Sequence, residues 1–385
     1  MAQQQQHTPI EQVLELLTEQ GPDGFLEAMR ILLNAAMLFE RERFLHAAPY
    51  ERTPERRDLA NGFKPKSLRT RLGELDLRIP QVRQGDFYPQ ALERGTRSER
   101  AVKLALAEMY VQGVSTRKVK AITERLCGFE VSSSQVSRAT AELDEHFKQW
   151  RERGLGEMAY VQVDARYEKV REGGLVIDQA LLQAIGIDSE GRRHVLGLSV
   201  SRSEAEVHWR EFLQGLVERG LSGVRLITSD SHAGLEAARK AVFPSVPWQR
   251  CQFHLQQNAS QYVTRIEQRK EVAGDLRAIF NAPNRMEADR LLAATVKKYS
   301  ETAPRLSSWM EANVYQGLTV TSYPVEHQKR LRTTNLSERV NRELKRRTRV
   351  VGIFPNSASL ERLATAVLME IDEDWQSGMR YLTFS

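Results

Sequence analysis

Residues 159–201 read AYVQVDARYEKVREGGLVIDQALLQAIGIDSEGRRHVLGLSVS, and the way this stretch divides decides the fold. Val161 and Val163 alternate with Gln162 and Asp164, the period of two that marks a strand. Two further runs rich in Val, Ile and Leu follow, at 175–188 and 192–201. Between them, Asp188-Ser189-Glu190-Gly191 has the chemistry of a turn. Downstream, SEAEVHWREFLQGLVERG (203–220) is a capped helix, GVRLITSD (223–230) is a strand ending in Asp230, and GLEAARKAV (234–242) is a helix.

Three strands, a helix, a strand and a helix make the element order of an RNase H-like α/β core. A Rossmann arrangement is excluded, because no glycine-rich turn follows the first strand. Beyond His254 the pattern is helical for a long way, which predicts an all-helical insertion over 255–317 between two parts of the core, 157–254 and 318–385. The second part opens with the strand-like GLTVTSYP (317–324). It continues into TTNLSERVNRELKRRTRVVGIFPN (333–356) and a last helix, SLERLATAVLMEIDEDW (359–375). The predicted class is α+β and multidomain.

The N-terminal half has a different texture. Residues 1–50 contain apolar residues at helical spacing, as in IEQVLELL, and predict helices that either pair with a second copy or pack on the rest of the chain. Residues 51–97 read as a basic loop followed by a β-hairpin. Leu75, Leu77 and Ile79 share one face, Gly73-Glu74 forms the turn, and Arg69, Arg71 and Arg78 lie on the other face. Residues 98–150 return to helices. One ends at Gly113, one is capped by Ser115 and broken at Cys127-Gly128, and SSSQVSRATAELDEHFKQW forms a third. That is a helix-turn-helix pattern, with Ser134, Gln135 and Arg138 placed to face base edges.

Composition narrows the function. The 385 residues carry 56 Lys and Arg against 50 Asp and Glu, a net charge of +6 that leans toward a polyanionic partner. The two cysteines, Cys127 and Cys251, imply no disulfide framework and fit a reducing compartment. No apolar run approaches the roughly 18 residues of a membrane span. The start, MAQQQQHTPI, lacks the basic and apolar regions of an export signal, so the expected location is the cytoplasm.

Asp164 and Asp230 stand on strands that this element order makes neighbours. Paired carboxylates repel unless a cation sits between them, and hard divalent ions take oxygen ligands. A third carboxylate is expected from the 333–356 block. There Leu336, Val340, Leu344 and Val351 form an apolar stripe with Glu343 close to it. Glu338 falls on the opposite side, with Asn335, Asn341, Arg342 and Lys345 around it. The basic run through Arg349 either tracks a phosphate backbone or is a solvated face. Cys251 and His254, three apart, resemble half of a zinc site. No second half is visible, and a supporting role near the carboxylates is the better reading. Trp309 in the insertion either packs in a core or stacks on an unpaired base.

The residues Asp230, Gly234, Leu235, Val242, Phe243, Pro244, Val246, Gln249, Cys251 and His254 carry a spaced signature. With it the chain resembles the Mutator-type bacterial insertion-sequence transposases. VQVDARYEKVR resembles that family's first-aspartate strand and TTNLSERVNRELKRRTRVVGIFPN its glutamate block. The resemblance implies a DDE transposase carrying two Mg²⁺ or Mn²⁺ ions on Asp164, Asp230 and Glu338, with Cys251, His254 and Asn335 in support. It implies hydrolytic nicking and strand transfer at terminal inverted repeats. Arg342, Lys345, Arg346 and Arg349 would lie on DNA. The partners implied are double-stranded DNA bearing those repeats and target DNA, and a homodimer or larger assembly in a bacterial, nucleoid-associated setting. Two other classes stand beside it. An inactive DNA-binding regulator is disfavoured by the intact acidic set, and an RNA–DNA hybrid nuclease by the helix-turn-helix.

Overall fold

The computed structural model describes residues 8–92, 94, 98–141 and 143–384. The first seven residues, on which part of the export-signal reading rests, lie outside them. The chain divides into two compact units, Met1–Leu143 and Asp144–Ser385.

The first unit begins with α1 (Pro9–Gln20), which starts where Thr8 and Glu11 cap each other reciprocally and Pro9 presets the first helical position. After α2 (Phe25–Leu45) comes the hairpin, β1 (Ala60–Thr70) and β2 (Gly73–Val82). Leu75, Leu77 and Ile79 are buried against Met37 of α2, on the face expected. Two details differ from expectation. The turn is Arg71-Leu72, because Gly73 at φ +141° already opens β2 and the Thr70 hydroxyl closes the turn on the Gly73 carbonyl. Residues 60–66 are strand rather than loop. They are exposed and show no alternation, and backbone pairing such as Lys66 with Leu77 holds them extended. Three helices follow, α3 (Arg100–Val111), α4 (Thr116–Cys127) and α5 (Ser133–Ala141), sharing a core of Leu106, Val119, Phe129 and Val136. Ser115 caps α4 through the Lys118 N–H, and Gly128 ends it in the left-handed conformation.

The second unit opens with α6 (Asp144–Glu152), a helix separate from α5. Its sheet contains β3 (Tyr160–Glu172), β4 (Leu175–Ile187), β5 (Arg193–Ser201), β6 (Leu226–Ser229) and β7 (Trp248–Arg250), in the order β5-β4-β3-β6-β7. The first three are antiparallel, while β6 and β7 run parallel to β3. The sheet is mixed, and the first and fourth strands are neighbours. α7 (Glu206–Glu218) and α8 (Ala233–Val242) join the later strands.

Period-two geometry assigns the faces. Val161, Val163, Leu182 and Ala184 pack with Trp209, Phe212 and Leu213 of α7 and Leu235 of α8. Gln162, Asp164 and Gln183 therefore point to the other face, where α14 (Asn335–Val351) and α15 (Ser357–Ser377) lie. Between β7 and α14 the chain is helical: α9 (Gln252–Ala259), α10 (Ile266–Phe280), α11 (Arg285–Tyr299), α12 (Pro304–Asn313) and α13 (Val325–Leu331). The middle of this region has its own core around Val272, Leu276, Leu306 and Met310.

GLTVTSYP is not a strand; it forms two short 3₁₀ turns, Val314–Gly317 and Thr319–Ser322. Leu318 and Val320 are buried as a strand reading requires. Their backbone groups pair within the turns and with one side chain instead of a neighbouring strand, the Leu318 N–H donating to the Tyr315 carbonyl. Gln249 receives the Val320 N–H at 2.8 Å and donates to the Gly317 carbonyl at 2.9 Å.

Candidate active site

Asp164 sits inside β3, opposite Gln183 of β4. One carboxylate oxygen accepts the Ala165 N–H at 2.9 Å, and the other accepts from Nδ2 of Asn341 at 2.8 Å. Protein encloses Asp164 on most sides although it keeps partial solvent access. Burial pushes its carboxyl up to about 6, with Asp230 and Glu204 pushing the same way against the Ala165 N–H and His254. Asp230 follows β6 directly, and its carboxylate accepts the Ser231 N–H at 2.7 Å. The two aspartates thus extend from adjacent parallel strands and feel each other's charge.

Glu338 is in the first turn of α14. Its Oε1 is buried and has no hydrogen-bond partner among the described residues. Asn341, three residues on, shares that side of the helix. It ties α14 to the sheet through three contacts. Its Nδ2 donates to Asp164, its Oδ1 accepts from Gln183 at 2.8 Å, and its carbonyl accepts from Arg166 at 2.7 Å. The predicted stripe is buried at Leu336, Val340 and Leu344, while Val351 is only half-buried.

Cys251 caps the start of α9 and is fully buried. Its Sγ lies 3.4 Å from both the N–H and the hydroxyl of Thr334, the residue before α14. His254, one turn further, has Nδ1 3.9 Å from the Asp230 carboxylate. The Cys251 thiol, followed by Asp230 and Asp164, pushes His254 up to about 9 against the opposing effect of burial. The pair therefore stands at the carboxylates, Cys251 against the helix that carries Glu338 and His254 as a cation beside Asp230. Asn335 is exposed and hydrogen-bonds to neither aspartate.

Among the described residues, no three His, Cys, Asp or Glu side chains already sit in an arrangement that could hold a metal ion. The donor chemistry nevertheless suits a hard cation. Two carboxylates stand on neighbouring strands, Glu338 has an orphaned buried oxygen on a helix tied to Asp164 through Asn341, and burial, with a smaller push from Asp230 and Glu204, raises Asp164 toward protonation.

Elsewhere, Ser134 and Arg138 of α5 are exposed. Gln135 is half-buried, and its Oε1 accepts the Ser132 N–H at 2.7 Å in a capping box. On α14, Arg342, Lys345 and Arg349 are exposed, whereas Arg346 is paired with Glu343. Trp309 packs on the core of the helical region, its ring 5.5 Å from Tyr262. No helix of the described residues is long and apolar enough to cross a membrane. Sequence reasoning missed the placement of Asn341, Gln183, Arg166 and Glu204. Only Asn341 offered a signal, its spacing of three from Glu338.

Comparison with known proteins gives concordant matches. Residues 1–378 match the family described as Transposase, Mutator family. The transposase for insertion sequence element IS406 of Burkholderia multivorans is 57% identical over 387 residues, covering 100% of both chains. That for ISRM5 of Rhizobium meliloti is 46% identical, covering 94% of this chain and 91% of its own. That for IS256 in transposon Tn4001 of Staphylococcus aureus is 37% identical, covering 92% and 91%. A solved HTLV-2 integrase catalytic core domain, in complex with magnesium, covers 34% of this chain and 90% of its own. It is 15% identical with a TM-score of 0.18, a likeness too slight to assign the fold.

Proposed function

The chain belongs to the Mutator family of transposases, and from that premise we propose that it cuts and rejoins DNA at the ends of an insertion sequence using Asp164, Asp230 and Glu338. The strand order β5-β4-β3-β6-β7 supports reading the sheet as an RNase H-like core. One arrangement carries the reading. Two aspartates extend from adjacent parallel strands, and the helix bearing the unpartnered Glu338 carboxylate is tied to the first of them through Asn341.

Asp164, Asp230 and Glu338 would hold Mg²⁺ or Mn²⁺. When bound, two such ions supply Lewis-acid activation of the attacking and leaving oxygens of an in-line displacement. The protein's own groups do the rest. Asn341 holds the Asp164 carboxylate in one orientation, and Gln183 holds Asn341. Protonated His254 offsets part of the negative charge gathered at Asp230. Exposed Lys345 and Arg349 bind the phosphate backbone and keep the scissile bond at the carboxylates, with exposed Arg342 binding the backbone beside them. Water is the first nucleophile and a DNA 3′-OH the second, so hydrolysis and strand transfer share one site. The helices α3, α4 and α5 act as a helix-turn-helix on the terminal inverted repeats, with Ser134 and Arg138 exposed for base edges. Bringing two ends together calls for a dimer or larger assembly on DNA.

The test is cleavage of a duplex carrying the element's terminal repeat, with and without Mg²⁺. Asp164→Asn, Asp230→Ala and Glu338→Gln are each expected to lower cleavage by roughly 10³-fold or more while leaving duplex binding intact. Cleavage that survives Asp230→Ala refutes the assignment. Binding without cleavage by the wild-type chain would make it a regulator.

A further inference from the structure

Arg193, the first residue of β5, is half-buried between two aromatic rings. Its guanidinium carbon is 4.9 Å from the Trp375 ring centre and 5.4 Å from that of Tyr381. Its Nε is buried without a partner, and among the described residues its side chain makes no hydrogen bond or ion pair. Burial lowers its affinity for the proton, and nearby Arg339 and Arg330 add to that effect.

Arg193 lines a cavity of about 430 Å³ together with Arg339, Arg342, Glu343, Asp374 and Trp375. Neither Arg339 nor Arg342 pairs with an acid among the described residues. Glu343 is already committed to Arg346 and Arg347, which leaves Asp374 as the one uncommitted carboxylate on the cavity. Several other arginines of this unit have an acid partner: Arg153 pairs with Asp372, Arg166 with Glu168, and Arg347 with Glu343 and Glu370. Arg219, Arg239 and Arg250 lack one but donate to carbonyl or amide oxygens, which Arg193 does not. A guanidinium buried without an acceptor is costly. Three converging on one hollow form a site short of an anion, and their planar forks match phosphate oxygens.

The place of this hollow on α14 says which phosphate. Asn341 lies on the flank of α14 that faces Asp164, Arg339 lies on the opposite flank, and Glu338 lies between them. A strand crossing from one flank to the other covers about 10 Å, the width of a helix. Successive phosphates of one strand lie further apart than the axial rise of about 3.4 Å, so this is roughly one or two nucleotides. We propose that the Arg193–Arg339–Arg342 cavity is a second DNA-backbone site, gripping a phosphate about one or two nucleotides from the bond cut at the carboxylates. This rests on the strand-cutting reading given above.

The experiment measures binding of the full-length protein, in EDTA, to a fluorescein-labelled duplex carrying one terminal repeat. It is repeated with single methylphosphonates walked outward from the cleavage position. The expected result for the wild type is about a tenfold loss at one linkage about one or two nucleotides out, with the salt slope falling by about 0.9. Arg193→Gln should show part of that loss, and the methylphosphonate should then cost less than it does in the wild type. Arg193→Lys keeps the charge but not the fork and should recover only part. Exposed Arg339→Gln serves as the second variant should Arg193→Gln fail to fold by circular dichroism and melting. Losses that multiply, or variants that bind the duplex like wild type, overturn the proposal. So does a fall in self-association by sedimentation with DNA affinity unchanged, which would assign the cavity to a second protein chain. Failure of the wild type to cut repeat-bearing DNA would instead sink the catalytic reading, so the two outcomes are separable.

Discussion

Replacing Asp164 by Asn should stabilise the protein when no divalent ion is present. The Asp164 carboxyl is raised from its ordinary 3.8 to about 6. A carboxyl with a raised folded-state value costs stability once it ionises. The cost is absent below about pH 3.8, grows as pH rises, and is complete above about pH 6. A difference of about two pH units at 1.36 kcal/mol each sets it near 3 kcal/mol. Residual solvent access at Asp164 makes this an upper figure. Asn removes the charge and keeps one oxygen for the Asn341 Nδ2 donor, but its amide nitrogen cannot accept the Ala165 N–H, so about half of the penalty should be recovered. In a domain of this size that is a rise in Tm of roughly 3–6 °C. The assay is thermal unfolding of both proteins in EDTA at pH 8 and pH 4. The expected gain at pH 8 vanishes at pH 4. Adding Mg²⁺ at pH 8 should raise the wild-type Tm and leave the variant where it was. A variant no more stable than wild type at pH 8, or equally more stable at both pH values, refutes the reasoning.

Other perturbations follow from the same geometry. Asn341→Ala removes one bond to a charged acceptor and strands the Gln183 amide, which is 1% exposed. It should cost about 2–4 kcal/mol in urea unfolding and slow end cleavage with duplex affinity unchanged. Gly234→Ala would place a Cβ 2.2 Å from the Glu204 carbonyl oxygen, where only backbone can give way. A loss above about 3 kcal/mol, or displacement of α8 with loss of cleavage, is expected, and a variant melting like wild type would refute the close approach. Arg347→Met leaves Glu343 and Glu370 without their shared, almost wholly buried guanidinium. Chemical unfolding should show about 2–4 kcal/mol lost, less in high salt, because the two glutamates keep partial contact with water.

The sequence carried the sheet because each long strand announces itself. Val161 and Val163 alternate with polar neighbours, and the Asp188–Gly191 turn separates the second strand from the third. β7 escaped notice because three residues cannot display a period. GLTVTSYP misled because Leu318 and Val320 alternate and are buried, yet the Val320 N–H goes to the side chain of Gln249, about 70 residues earlier in the chain, and the Leu318 N–H to the nearby Tyr315 carbonyl. The two aspartates were legible as neighbours from element order alone. The work of Asn341 was not, since it depends on where α14 docks. Cys251 shows the same limit. Its spacing to His254 is plain in the chain, but its contact is with Thr334, 83 residues away. The requirement for glycine at 234 becomes physical only when the Glu204 carbonyl is seen against it.

The four residues leading into α14 bear on how this protein withstands force. The Leu331 carbonyl accepts from Thr228, the Arg332 carbonyl from the Gln252 N–H, the Thr333 carbonyl from Gln162, and the Thr334 N–H meets Cys251. Each link of that connector is riveted to β3, to β6 or to the start of α9. A load applied to the excursion would therefore pass into the sheet before it reached Glu338. A change in the length of the excursion would likewise leave the position of the third carboxylate set by the sheet.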